Sequence, residues 1–250
     1  MTDIRKHEPR EDRIQVGRSV ILYDPSLVSN FDERWFDPAH WSRIGALRGE
    51  APGRGSTVFF AAEGAAFALR HYRRGGLVTA VMHDRYLNAG EARSRPFREF
   101  RVIQQLQHLG LPVAPVAAAL FAPMGLFCRG DLITRRLMGV RTLAERLSQG
   151  FESIDWLAVG TTVARFHGVG LRHADLNAHN LLVDDQGQWF LIDFDRASFC
   201  DSGLWCDVNL VRLRRSILKV CDSLSRPFDE YRWISLLEGY RDFSRTDRLS

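Results

Sequence analysis

The segment His173-Ala174-Asp175-Leu176-Asn177-Ala178-His179-Asn180, followed by Asp193-Phe194-Asp195, sets acids and amides at spacings that phosphoryl transfer could use. That chemistry needs one group to orient an acceptor hydroxyl and take its proton, and oxygen ligands to hold a metal ion on the nucleotide phosphates. Asp175 suits the first role, that of catalytic base. Asn180 and Asp193 suit the second, and oxygen-only ligands match Mg²⁺, which binds through a few carboxylate or amide oxygens and keeps several waters. Chance would seldom place a later aspartate at a fixed offset behind His-x-Asp-x-x-x-x-Asn in a chain of this composition. The plainer assignment makes Asp175 and Asn180 polar residues that cap turns. His173 reads as a group that positions the loop by hydrogen bonding rather than one that transfers protons.

The flanking sequence must bring these residues together. Residues 181–183 and 189–192 are short apolar runs separated by Asp184-Asp185-Gln186-Gly187, which reads as two strands and a tight turn that returns Asp193 to the side of Asn180. Helical patterns occupy residues 142–148 and 156–167 and run on to the C-terminus. The first half differs. Residues 19–23 read as a strand. Thr57-Val58-Phe59-Phe60 and Ala66-Phe67-Ala68-Leu69-Arg70, on either side of Glu63-Gly64, read as a hairpin. From 95 to 109, Phe100, Ile103, Leu106 and Leu109 recur at threes, marking an amphipathic helix closed by Gly110 and Pro112. Short strands are expected at 113–120 and 132–136. A β-rich part followed by a helical part predicts an α+β chain of two lobes rather than alternating βαβ units. The expected division is a flexible tail at 1–16, a nucleotide-binding lobe at 17–138 and a catalytic and acceptor-binding lobe at 139–250.

Composition narrows the classes. With 250 residues and 45% hydrophobic content the chain can build an ordinary globular core, which excludes disordered and fibrous classes. The charged first residues lack the apolar segment of a secretory signal, and the most apolar stretch, 112–127, is broken by Pro115 and Pro123 and is too short to span a bilayer. A cytoplasmic chain is therefore expected. Cys128, Cys200, Cys206 and Cys221 have no C-x-x-C spacing and read as free thiols, with Cys200 and Cys206 the one pair near enough to suspect otherwise. A net charge of +4 favours anionic partners. The arginines are dispersed and no stacking or zinc pattern accompanies them, so a nucleic-acid partner is not expected. The lysines are Lys6 and Lys219 alone, so a phosphate-binding cation in the middle of the fold must be arginine.

On these motifs the chain resembles the protein-kinase-like superfamily, whose catalytic loop reads H-x-D-x-x-x-x-N and whose metal site lies in a D-F-G-type segment. The resemblance implies a bilobal α+β fold, with a β-rich N-terminal lobe and a mainly α C-terminal lobe, and ATP and Mg as cofactors. Gly53-Arg54-Gly55-Ser56 resembles the loop that covers the nucleotide phosphates, giving Gly53, Gly55 and Ser56 as cofactor-binding residues. Phe67-Ala68-Leu69-Arg70 resembles the strand that carries the phosphate-reaching lysine, with Arg70 in its place; Arg keeps the charge but is a bulkier, forked group. Glu99 is its candidate partner, and Glu91 the fallback. Asp195 stands where the superfamily has glycine and Ala174 where regulated protein kinases have arginine, which implies neither a flipping segment nor activation-loop control.

Within that superfamily the chain is similar to the 3-deoxy-D-manno-octulosonic acid (Kdo) kinases of lipopolysaccharide core assembly, relatives of the heptose kinases, over residues 17–240. The likeness rests on the glycine segment, on Leu69-Arg70-His71-Tyr72-Arg73-Arg74-Gly75-Gly76-Leu77, on the catalytic loop, and on Asn209-Leu210-Val211-Arg212-Leu213-Arg214-Arg215-Ser216. It implies phosphorylation of a hydroxyl on the Kdo sugar of a lipid A precursor. The partners implied are that Kdo-lipid and an anionic membrane surface, at the cytoplasmic face of the inner membrane. Arg73, Arg74, Arg212 and Arg215, with Arg214, are the candidate acceptor-binding residues. The aromatic segment 31–41 could touch lipid headgroups, although packing into the core is the simpler fate for it. The alternatives are a kinase for a heptose or another small molecule, such as a cationic antibiotic, and a nucleotide-binding pseudokinase scaffold.

Overall fold

A computed structural model describes residues 8–29, 31–51, 57–72, 86–87, 90–125 and 127–246. The chain divides into two units, one ending at Arg136 and the other running from Leu137 and taking in Leu111–Val113. The fold is α+β, with the large sheet in the first unit and most of the helix in the second.

The sheet of the first unit is antiparallel, in the order β1 (Asp12–Val16), β2 (Ser19–Tyr23), β7 (Val116–Met124), β8 (Phe127–Arg135), β5 (Ala65–His71), β4 (Thr57–Ala62), β3 (Leu47–Ala51), with β6 (Tyr86–Leu87) also on β8. The β4–β5 hairpin forms where the alternation predicts it, and Glu63 and Gly64 both take positive φ in its turn, the backbone that matches strand twist. Asp12–Val16, expected as part of the loose tail, is instead an edge strand paired with β2. Its few apolar side chains are only half-buried, so no hydrophobic run announces it. Strands β7 and β8 are longer than expected because their backbone pairing continues past the apolar positions, as far as Met124 and Phe127.

Helix α2 (Arg95–His108) packs on β7 and β8 through its buried face, which includes Phe97, Phe100, Ile103 and Leu106. The aromatic segment closes the other end of the core. Trp35 and Trp41, 5% and 4% exposed, meet edge-on at 5.4 Å, and Trp41 stacks on Phe60 at 4.2 Å. Trp41 also donates Nε1 to the Trp35 carbonyl at 3.0 Å. This segment, with its short helix α1 (Pro38–Arg43), is core.

The second unit opens with β9 (Arg141–Thr142) and α3 (Leu143–Gln149), whose start is a capping box: Glu145 N–H donates to Thr142 Oγ1 and Thr142 N–H to Glu145 Oε2. Helix α4 (Trp156–Gly168) follows, then β10 (Leu171–Arg172), β11 (Leu181–Val183), β12 (Trp189–Leu191), β13 (Ser198–Phe199), α5 (Trp205–Ser223) and α6 (Glu230–Thr246). The strands β12, β11 and β9 form one small sheet, β10 and β13 another. All four cysteines are free.

Helices α4 and α6 approach so closely that glycine is required at the contact. A Cβ at Gly160 would sit 1.9 Å from the Leu236 carbonyl oxygen, and one at Gly239 would sit 2.2 Å from that of Leu157. Both obstacles are backbone and cannot swing aside. Gly160→Ala should therefore lower stability by about 1–3 kcal/mol or more by forcing the helices apart, read as a lower denaturant midpoint in chemical unfolding. An unchanged midpoint would mean that the contact yields easily.

Candidate functional site

The loop between β10 and β11 owes its shape to two buried groups. His173, 1% exposed, bridges the loop to the strand end: its Nε2 donates to the Ile192 carbonyl at 3.1 Å and its Nδ1 accepts from the Asp175 N–H at 3.1 Å. Those partners specify the neutral ring with the proton on Nε2. Burial pulls the His173 pKa below its ordinary value, against the opposing pull of the Ile192 carbonyl and of Asp193 and Asp175. Phe194 packs edge-on against the imidazole at 5.5 Å.

The second group is Asn209 of α5, 4% exposed. Its Oδ1 accepts from the His173 backbone N–H at 3.2 Å and its Nδ2 donates to the His173 carbonyl at 3.0 Å, so one side chain satisfies both backbone groups. Seven residues further along the same helix, Ser216 Oγ accepts from the Ala178 N–H at 3.0 Å. Helix α5 thus fastens the loop at two points.

On this base Asp175 stands out into solvent, its side chain 62% exposed. Asn177 Nδ2 donates to Asp175 Oδ2 at 3.0 Å, and Arg212 NH1 lies 3.5 Å from Asp175 Oδ1. The Asn180 amide is turned by its Nδ2, which donates to the Asp175 carbonyl at 2.9 Å. Among the described residues Asn180 Oδ1 has no hydrogen-bond partner. The Ile192 N–H donates to the Asn180 carbonyl at 3.0 Å, which brings the start of the Asp193 segment beside it. Asp193 takes φ 65°, a left-handed conformation that costs a non-glycine residue of order 1 kcal/mol and recurs at functional sites. An amide oxygen and a carboxylate on adjoining segments fit a hard, oxygen-seeking ion such as Mg²⁺.

In the first unit, Arg70 NH2 is hydrogen-bonded to Glu99 Oε2, and Tyr72 OH donates to the same oxygen. Arg70 NH2 also donates to Tyr72 OH at 3.0 Å. Glu99 is 3% exposed, so its charge is met by the guanidinium and the phenol together. Burial, with the Glu99 carboxylate beside it, holds the Tyr72 phenol well above the ordinary tyrosine pKa, so it remains a protonated donor. Glu91 pairs elsewhere, with Arg13 at 3.1 Å. Arg214 pairs with Glu230 at 2.7 Å, while Arg212 and Arg215 are exposed on α5. Gly53, Gly55, Ser56, Arg73 and Arg74 lie outside the described residues.

Tyr72, Asn177 and Asn209 escape a reading of spacing alone. Tyr72 carries a hint, two positions beyond Arg70 on a strand and hence on the same face. Asn209 lies 36 residues from the group it holds, and nothing local predicts the contact.

The model of the lipopolysaccharide kinase (Kdo/WaaP) family matches residues 38–240. A 3-deoxy-D-manno-octulosonic acid kinase of Stenotrophomonas maltophilia (strain R551-3) is 42% identical over 205 residues, 82% of each chain. The same-named kinases of Xanthomonas axonopodis pv. citri (strain 306), 41% identical over 84% of each chain, and of Xylella fastidiosa (strain M23), 39% identical over 84% of this chain and 86% of its own, are similar to it as well.

Two outcomes test the loop's anchoring. Asn209→Ala strands the buried N–H and C=O of His173, and should cost about 2–4 kcal/mol in chemical denaturation. Asn209→Asp, which keeps the acceptor but sets a buried carboxylate oxygen against the His173 carbonyl, should cost at least as much. The second concerns His167 of α4, whose Nδ1 lies 2.9 Å from Tyr240 OH and whose pKa burial lowers from 6.5 to about 4. The unfolded chain binds that proton first as pH falls, so stability is full above about pH 6.5 and declines below it, by up to roughly 1.4 kcal/mol per unit for this group. Replacing His167 with Gln should flatten the dependence of unfolding free energy on pH between 6.5 and 5 by nearly one proton.

Proposed function

Because the chain belongs to the lipopolysaccharide kinase (Kdo/WaaP) family, we propose that this kinase transfers the terminal phosphoryl group of ATP to a hydroxyl of the Kdo sugar on a lipid A precursor. The observation that carries the assignment of roles is the setting of Asp175. Its carboxylate is exposed while its backbone N–H and carbonyl are held by His173 and Asn180. An acceptor hydroxyl needs such a group, free to receive a proton and unable to drift. Asn177 and Arg212 aim the carboxylate.

Asn180 and Asp193 would hold Mg²⁺, which when bound neutralises charge on the nucleotide phosphates. Arg70 serves as the phosphate-contacting cation. Glu99 and Tyr72 hold its guanidinium, so the missing lysine is a substitution with its own supporting shell, and the pseudokinase reading loses its motive. Gly53, Gly55 and Ser56 are assigned to covering the phosphates. Arg212 and Arg215, with Arg73 and Arg74, are assigned to the acceptor, since a Kdo unit carries a carboxylate and its lipid carries phosphates. An arginine-bearing helix beside the base disfavours a cationic acceptor such as an aminoglycoside. Among the described residues no helix is long and apolar enough to cross a membrane, so the reading places the enzyme peripherally on the inner-membrane face where its lipid acceptor is made.

Purified protein with MgATP should phosphorylate a Kdo-bearing lipid A precursor, followed with radiolabelled ATP alongside heptosylated and protein acceptors. Labelling of protein alone, or of no Kdo acceptor, would sink the proposal. Asp175→Ala and Asp193→Ala should each lower kcat by about a hundredfold or more with the circular dichroism spectrum unchanged. Near-normal turnover in either would remove that residue from its role.

A further inference from the structure

Helix α5 has two edges with different employment. On one, Asn209, Arg212 and Ser216, spaced by three and four, meet the catalytic loop. On the neighbouring edge, Val211, Arg215 and Leu218 border a groove closed on its far side by α6, with Trp233, Leu237 and Tyr240 in its wall. The groove has a volume of about 380 Å³, within the roughly 300–1,000 Å³ of small-molecule sites, and it opens to solvent. Apolar side chains lead into it: Leu204, Val208 and Val211 are 84%, 58% and 59% exposed, on one stripe of the helix. Stacking that much aliphatic surface on an outer face costs solubility and calls for an occupant.

Charge identifies the kind of occupant. Arg215 and Arg241 line the groove and carry no ion pair among the described residues, against the single carboxylate Asp207. Arg214 is neutralised by Glu230. Arg212, on the crest of the helix, reaches Asp175 at 3.5 Å. An apolar trough rimmed by unpaired guanidinium groups suits an alkyl chain attached to an anionic head. Arg212, which reaches Asp175, and Arg215, which lines the trough, stand three residues apart on the same helix and link the two places.

We infer that the α5–α6 groove receives an acyl chain of the same anionic glycolipid whose sugar is phosphorylated at Asp175, with Arg212 and Arg215 meeting the acidic groups between sugar and chain. This rests on the proposed acceptor and adds where its lipid part is held. No covalent step occurs in the groove. It raises affinity for acylated acceptors and sets the direction from which they enter.

The test compares a Kdo-lipid A precursor in detergent micelles with its deacylated, water-soluble glycan, using the wild-type enzyme and Val211→Asp, an exposed position where the charge cannot unfold a core. The variant should raise KM for the acylated acceptor by about tenfold, equivalent to roughly two buried methylene groups, and leave kcat/KM for the deacylated glycan within about twofold. Equal losses on both acceptors, or no loss on either, overturn the inference. Quenching of tryptophan fluorescence by doxyl-labelled stearate, with Trp233 in the groove wall as reporter, decides the groove without turnover: it should weaken in Val211→Asp. If no Kdo acceptor is phosphorylated but that quenching weakens, the Kdo reading falls and the groove stands. Quenching indifferent to the substitution overturns the groove. Loss of binding to phosphatidylglycerol vesicles by the variant, with KM for the micellar acceptor unchanged, assigns the face to bulk membrane instead and also overturns it.

Discussion

The loop from His173 to Asn180 shows polar groups to solvent while its own backbone runs through a dry interior, and Asn209 resolves that conflict. The amide both accepts from the His173 N–H and donates to the His173 carbonyl, so two backbone groups that would otherwise be stranded are paired by one side chain. His173 then passes the constraint outward, to the Asp175 N–H on one side and the Ile192 carbonyl on the other. The imidazole works as a fixed two-ended connector because burial keeps it neutral; a protonated ring would lose its acceptor. Asp175, Asn180 and the Asp193 segment are all referred to this one buried point.

The first unit meets a similar demand with different parts. A lysine would present its carboxylate partner with one compact ammonium, whereas Arg70 offers a planar fork and leaves part of Glu99 to be satisfied by another donor. The Tyr72 phenol donates to the same Oε2 that Arg70 engages, and the three groups hold one another between β5 and α2. Trp35 and Trp41, from the segment that could have been a membrane contact, pack on Phe60 and Phe67 of the same sheet. Burying rings of that size contributes far more than leaving them at a wet surface.

Helix α5 links the site to the rest of the second unit. Its buried residues, including Leu213 and Ile217, anchor it, one edge grips the loop from His173 to Asn180, and its outer face is left apolar and basic. Helices α4 and α6 come together through Gly160 and Gly239 at backbone contact, and His167 of α4 reaches Tyr240 of α6 beside them. The α6 wall of the α5–α6 groove is therefore backed by a close backbone contact.

The sequence by itself determined the hairpin that returns the Asp193 segment beside Asn180, the β4–β5 hairpin and helix α2, because each is written in short-range terms: a turn at Asp184–Gly187 or Glu63-Gly64, a period of two or of three to four. It also determined that the central cation is arginine, since no lysine lies between Lys6 and Lys219. Glu99 meets Arg70, and Trp35 and Trp41 turn inward, as the sequence ranked them, whereas tertiary structure alone decided that Asp12–Val16 joins the sheet and that Asn209 reaches His173. Each of the last two is a choice among chemically equivalent partners far apart in the chain. Local pattern cannot rank them, because the ranking comes from which buried polar group is left to satisfy and which apolar surface is left to cover once the elements have packed.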